Sequence, residues 1–215
     1  MSSTNTADFN ADHQAAHAVD VVVTPPAANP SMIGIPMFVV GSIALGLQQV
    51  GLVSAAGGGA PLAIILMATG LGTLLASLWA MSAGQSAVAG IFGIFAGFWL
   101  SYGVLILGLT HGWFGIAPAD IKGTVVLFLI SWLIVIVLLT LGTLRLPMVF
   151  SLLFILIDLS LLATLLATIG ASAALGYIGG YLALTFAAVG AYLFIDACSQ
   201  STGGKALALG RPIQR

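Results

Sequence analysis

Six long apolar runs follow one another along this chain, separated by short stretches rich in glycine, serine or proline. A helix needs about 20 apolar residues to cross the hydrocarbon core of a bilayer, and each run has roughly that length. The pattern therefore predicts six transmembrane helices and an all-α integral membrane protein. The predicted spans are Gly34–Val53, Pro61–Met81, Ala87–Leu109, Gly123–Leu144, Pro147–Ile169 and Ala173–Ala197.

The segments outside these runs predict the tails and connections. Met1–Ala28 is polar or small in character and is expected to be a tail that is either disordered or a short helix at the membrane interface. Ala55–Ala60 is short and glycine-rich, so the first two spans are expected to form an antiparallel hairpin. The six-helix domain is expected over residues 29–198, followed by a cytoplasmic tail over residues 199–215.

The few basic residues predict the orientation in the membrane. Six spans place both termini on one side, and that side holds Arg145, Lys205, Arg211 and Arg215, whereas the other side holds Lys122. Because cytoplasmic loops carry the excess of Lys and Arg, both termini are expected in the cytoplasm. The predicted location is the cell membrane, plasma or inner.

Composition supports the same class and excludes several others. The chain is 60% hydrophobic and 5% charged, whereas soluble domains carry about 25% charged residues. Five Lys and Arg with a net charge of −1 exclude a nucleic-acid partner. The single cysteine, Cys198, and the absence of metal-binding or catalytic motifs predict no metal, no cofactor and no enzyme activity.

Two aspartates need an explanation in a chain this apolar. Asp158 falls near the middle of the fifth span, where a charged side chain costs about 3 kcal/mol on insertion scales. It is a protonatable group coupled to transport, a pore-facing site, or a neutral side chain bonded to a hydroxyl of a neighbouring helix. Asp196 lies at the end of the last span, where its carboxylate is expected to reach water.

Aromatic residues divide by their depth in the predicted spans. Phe38, Phe95, Phe98 and Trp99 lie within spans and together allow a narrow hydrophobic constriction. Tyr102 is expected in the belt of aromatic side chains at a membrane interface.

The segment Asn29–Gly51 resembles the start of a known family. Its first residues, Asn29-Pro30-Ser31-Met32-Ile33-Gly34-Ile35, are similar to the NPAPLGL motif before the first helix of the acetate uptake transporters, the succinate–acetate permease group. Further resemblance follows in order along the chain, nearly to its end. These matches are Leu47–Gly51, Phe98–Ser101, Gly142–Leu144 and Lys205–Ile213.

This resemblance implies a funnel-like six-helix protomer with one pore, a homo-hexamer, and passage of acetate and similar monocarboxylates, in some members succinate. It implies that the Asn-Pro segment, with Asn29, Pro30 and Gly34, lies near the solute path. The family's hydrophobic constriction corresponds here to Phe38, Phe95 and Ile157. The chain departs from the family at Met32, where the motif has a second proline, and at Phe95, where the family has a tyrosine.

Three functions remain open from the sequence. A permease or channel for acetate has to bind the anion with amides, for which Asn29, Gln48 and Gln49 are candidates, or carry it with a proton, for which Asp158 is the candidate. The lack of a basic residue within a span also allows a pore for neutral small solutes. A structural or assembly membrane protein without transport activity accounts for the many glycines equally well.

Overall fold

The computed structural model describes residues 29–54 and 59–214. Within that part of the chain it contains no strand, and six helical segments are long and apolar enough to cross a membrane. The all-α, six-span prediction is therefore confirmed. The predicted N-terminal tail and most of the predicted Ala55–Ala60 connection lie outside the described residues.

The first helix, α1 (Ser31–Gln49), begins directly after Asn29-Pro30 and ends four residues earlier than predicted. Pro30 suits this position because a helix start needs no donor from its first residues. Val50 and Gly51 turn the chain away, and Gly51 has φ +86°, a left-handed conformation that glycine adopts without strain.

The second span begins as a π-helix, Ile64–Gly70, and continues as α2 (Leu71–Ser82). Hydropathy alone predicts no such widened turn, because nearly every residue of this segment is apolar or small and the pattern does not show the number of residues per turn. The π-helical segment packs against both α1 and the third helix. It places Thr69 directly against Gly41 of α1, where any larger residue would collide with the threonine.

The remaining helices follow the predicted spans to within a few residues. They are α3 (Ser86–His111), α4 (Ile121–Gly142), α5 (Met148–Gly170) and α6 (Ala173–Ser201), with a short 3-10 turn, Pro118–Asp120, before α4. The main contacts join α1 to α6, α6 to α5, α5 to α4, and α2 to α3. The helices enclose one core of buried aromatic and aliphatic side chains.

Close approach of α1 and α6 depends on two glycines. A Cβ at Gly46 would lie 2.8 Å from the Leu184 side chain, and one at Gly180 would lie 3.0 Å from the backbone nitrogen of Val50. Lipid supplies no hydrophobic driving force for helix association, so transmembrane helices associate through close packing. Small residues at the crossing let the two backbones approach closely enough for it. The crossing sets where the end of α1 lies against α6.

The C-terminal segment folds back onto the helix ends, and Asp196 holds it. Asp196 is 5% exposed; its Oδ1 accepts a hydrogen bond from the Leu207 backbone N–H (2.7 Å) and its Oδ2 accepts one from Gln200 (2.8 Å). Further along, the Val149 N–H donates to the carbonyl of Leu209 (3.1 Å). The prediction that the Asp196 carboxylate reaches water was wrong, because this folded-back segment supplies its hydrogen-bond donors.

Candidate solute path

Two cavities lie along the inner faces of the helices, and among the described residues only Phe38 and Phe95 line both. The Ser31 cavity, of about 120 Å³, is the one bordered by Ser31 and Ile35 at the start of α1. The Gln49 cavity, of about 60 Å³, is the one bordered by Leu45 and Gln49 at the end of α1. The two cavities therefore meet at the Phe38–Phe95 pair.

The rings of Phe38 and Phe95 are in contact, with centroids 4.9 Å apart. Phe38 also packs against Phe186 of α6 (5.7 Å) and approaches Trp99 edge-on (6.3 Å), and Phe95 stacks on Phe154 of α5 (6.1 Å). Four helices thus contribute aromatic side chains to the boundary between the cavities. A constriction lined only by such rings is dry and excludes hydrated ions.

Phe38 is positioned by the fit of α1 against its neighbours. Gly34, one turn earlier, leaves the space that the Phe92 ring of α3 fills. One turn later, Ser42 is fully buried and its hydroxyl donates to the carbonyl of Phe38 (2.7 Å). The ring of Phe38 is consequently held at the centre of the bundle and is 5% exposed.

The structure brings some of the sequence-predicted residues together and separates others. Ile157 is buried and lines the Gln49 cavity beside Phe38 and Phe95. Pro30 is buried and starts the helix whose Ser31 borders the Ser31 cavity. Asn29 and Gln48 are half-buried at the two ends of α1, and neither borders either cavity.

Gln49 has the most informative polar contacts. Its Nε2 donates to the hydroxyl of Thr164 on α5 (3.3 Å), and its Oε1 is buried without a partner among the described residues. Thr164 in turn donates to the carbonyl of Ser160 (2.8 Å). Gln49 therefore links α1 to α5 at the border of its cavity and still offers one free acceptor.

Asp158 lies between helices and borders neither cavity. Its Oδ2 is 2.7 Å from the hydroxyl oxygen of Thr140 on α4, and its Oδ1 is buried without a described partner. The hydroxyl contact required by the neutral, helix-bonded alternative is thus present. Thr140 also lies 3.0 Å from the carbonyl of Ile136, so its single hydrogen has two acceptors within reach.

Three residues at the site were not predicted as such. Tyr102, expected at a membrane interface, instead borders the Gln49 cavity and stacks on Phe98 (6.1 Å). Phe154 and Phe186 were overlooked, although each is an aromatic residue in the middle of a predicted span. Phe154 lies three residues before Ile157 and so shares its helix face, which is the signal that would have found it.

Comparisons with known proteins agree with this architecture. Residues 12–204 match the model of the GPR1/FUN34/yaaH family. A curated relative, the Meiotically up-regulated gene 86 protein of Schizosaccharomyces pombe, is 36% identical over 98 residues, which are 43% of this chain and 31% of that protein. The chain thus matches about a third of that relative's length.

A solved structure described as the bacterial acetate channel SatP superposes with a TM-score of 0.75 at 23% identity. The superposition covers 85% of this chain and 99% of that one. At this level of identity, the likeness shows a shared fold.

Proposed function

This chain belongs to the GPR1/FUN34/yaaH family, as the resemblance at Asn29–Gly51 predicted, and we propose that it is a membrane permease or channel for acetate and similar small monocarboxylates. The observation that carries the proposal is the contact of Phe38 with Phe95 between two internal cavities. A pathway of this form holds a small solute on either side of a dry boundary. The fold shared with a bacterial acetate channel supports the choice of solute.

In this proposal the solute enters near the Asn-Pro end of α1, crosses the aromatic boundary and leaves past the amides at the other end. Asn29, Pro30 and Gly34 lie at the first end, and Gln48 and Gln49 lie at the second. Of these five residues, Gln49 is the one that borders a described cavity. Phe38, Phe95 and Ile157 form the constriction between them. The absence of a tyrosine hydroxyl at Phe95 makes this constriction entirely apolar, which suits short-chain solutes better than the dicarboxylate succinate.

Proton coupling is a further part of the proposal. A carboxylate that crosses with a proton requires either a titrating side chain, for which Asp158 is the candidate, or a proton carried by the solute itself. The position of Asp158 between α4 and α5, away from both described cavities, favours an indirect role through the packing of these helices.

Both termini lie in the cytoplasm in this proposal, because the side holding them contains four of the five basic residues. The protomers form a homo-hexamer with a separate path in each subunit, as the family resemblance implies. Native mass spectrometry of the detergent-solubilised protein measures the subunit number, and cysteine labelling from either side of the membrane measures the orientation.

Uptake of labelled acetate into proteoliposomes tests the function. The expected result is uptake above that of protein-free liposomes, competition by excess unlabelled acetate, and a change in rate when Phe38 is replaced by alanine. Comparing uptake with and without a pH gradient distinguishes coupled from passive transport. Uptake that responds neither to competition nor to Phe38→Ala would contradict the constriction.

A pore for neutral small solutes is the second candidate, favoured by a specific observation. Among the described residues that border the two cavities, none carries a charge. The result that favours it is passage of several different small neutral molecules, which excess acetate does not inhibit. A protein that passes no solute at all would instead have a structural role.

A further inference from the structure

Two residues that border the Gln49 cavity, Trp99 and Gln49, each contain a buried polar atom without a hydrogen-bond partner among the described residues. Trp99 is 1% exposed, and its indole Nε1 has no partner among the described residues. Gln49 leaves its Oε1 in the same condition. A buried polar atom without a partner costs free energy, and native structures contain few of them, so two on residues that line one small cavity require an explanation.

The neighbouring hydroxyls determine which end of the Gln49 amide is free. Thr164 uses its hydrogen on the Ser160 carbonyl (2.8 Å), and Ser160 uses its own on the Gly179 carbonyl (2.8 Å). The Thr164 oxygen is consequently an acceptor, and only the NH₂ end of Gln49 forms a favourable contact with it. The Gln49 oxygen therefore remains as an acceptor, while Trp99 offers only a donor.

The cavity provides no counter-charge for an anion. Its described lining residues are uncharged, and most are aromatic or aliphatic. A carboxylate without a positive partner loses its hydration at high cost in such surroundings. An undissociated acid and a primary amide are uncharged, and each carries one donor and one acceptor, which complement Gln49 and Trp99.

The size of the cavity restricts the solute further. A water-sized atom takes about 10–15 Å³ of such a volume, and the cavity measures about 60 Å³. It therefore accepts about four to six non-hydrogen atoms. Acetic acid and acetamide each have four.

We propose that Gln49 and Trp99 form a binding site for a short, uncharged carboxylic acid or its primary amide, so that the protein passes acetamide as well as acetate. The inference rests on the proposed transport function, because it assigns the site to a solute path. Tyr102 borders the same cavity three residues beyond Trp99 on α3, and its hydroxyl either donates or accepts. A solute moving along the cavity exchanges one hydrogen bond for another between these groups.

Labelled acetamide uptake into proteoliposomes containing the full chain tests this site. Gln49→Met removes the free acceptor together with the bond to Thr164, with little change in size. Trp99→Phe removes the donor together with the pyrrole part of the ring. Trp132→Phe is the matched control, since Trp132 packs against Phe98 (5.6 Å) but borders neither cavity. Wild-type protein is expected to pass acetamide. Each site variant is expected to lower uptake at low acetamide concentration about two- to tenfold, which is the change in affinity that loss of one hydrogen bond produces.

The outcomes separate this inference from the function on which it rests. Passage of acetate without acetamide overturns the site and leaves the proposed function standing, whereas passage of neither solute overturns both. The site is also overturned if acetamide uptake by both site variants equals that of the Trp132→Phe control and of the wild type. Size-exclusion chromatography establishes assembly of each variant, and if Trp99→Phe does not assemble, Gln49→Met against the control decides the question.

Discussion

Replacing Phe38 with alanine is the most direct test of the boundary between the two cavities. The ring makes three aromatic contacts, with Phe95 (4.9 Å), Phe186 (5.7 Å) and Trp99 (6.3 Å). If the solute passes only when this ring swings aside, the barrier includes the loss of those contacts. Phe38→Ala removes the ring, so that barrier disappears.

The contacts give the expected size of the effect. Each aromatic pair contributes about 0.5–1.5 kcal/mol beyond the area it buries. Loss of three pairs therefore accounts for about 1.5–4.5 kcal/mol of the barrier. Since 1.36 kcal/mol corresponds to a tenfold change in rate, we expect acetate flux to rise between about tenfold and two-thousandfold.

Initial rates of labelled acetate uptake, normalised to reconstituted protein, measure this effect. Phe128→Ala is the matched control, because Phe128 also packs against three aromatic rings, those of Phe98, Tyr102 and Trp132, but borders neither described cavity. A Phe38→Ala rate equal to that of the wild type or of Phe128→Ala would refute the idea that this ring limits passage. A variant that no longer assembles is excluded by size-exclusion chromatography before the comparison.

Three further substitutions test the packing around the path. Gly46→Ala is expected to lower the free energy of unfolding by about 1–3 kcal/mol, because the added methyl group overpacks against Leu184. Gly90→Ala is the control, because Gly90 has open space around it, and its melting temperature is expected to equal that of the wild type. Asp196→Ala removes two hydrogen bonds of about 1.5–3 kcal/mol each. Because one of them holds the C-terminal segment at Leu207, limited proteolysis is expected to cut residues 203–214 first. A digestion pattern equal to that of the wild type would contradict this. Asp158→Ala is expected to lower the melting temperature through loss of the Thr140 contact, and Asp158→Asn, which retains a partner, to preserve it.

Much of the fold is predictable from hydropathy because lipid requires long, uninterrupted apolar helices. All six spans follow from that requirement, and their ends lie within a few residues of prediction. The early end of α1 has a local cause, the turn at Gly51. The π-helical start of the second span is not predictable in this way. It accompanies the contact of Thr69 with Gly41, which becomes visible only when two helices are packed together.

Residues of the site could be predicted where their position along the chain is sufficient to identify them, and not where their role depends on contacts with another helix. Phe38 and Phe95 are identifiable because a resemblance specifies their positions. Tyr102 was misplaced, because distance from the end of a span does not distinguish an interfacial ring from one that borders an internal cavity. The free acceptor of Gln49 was beyond prediction, since it depends on the hydrogen-bond directions of Thr164 and Ser160 on another helix.

The uncharged linings also bear on where a transported proton travels. An acetate anion at the Phe38–Phe95 boundary meets no cation among the described residues that border either cavity, so the undissociated acid is the form that crosses at lower cost. Uptake at fixed total acetate is then expected to fall as pH rises, because the fraction of undissociated acid falls. If the proton travels on the solute, Asp158→Asn and the wild type share this pH dependence. A dependence that disappears in Asp158→Asn would instead assign the proton to the Asp158 carboxyl, and the contact with Thr140 would then connect proton binding to the packing of α4 against α5.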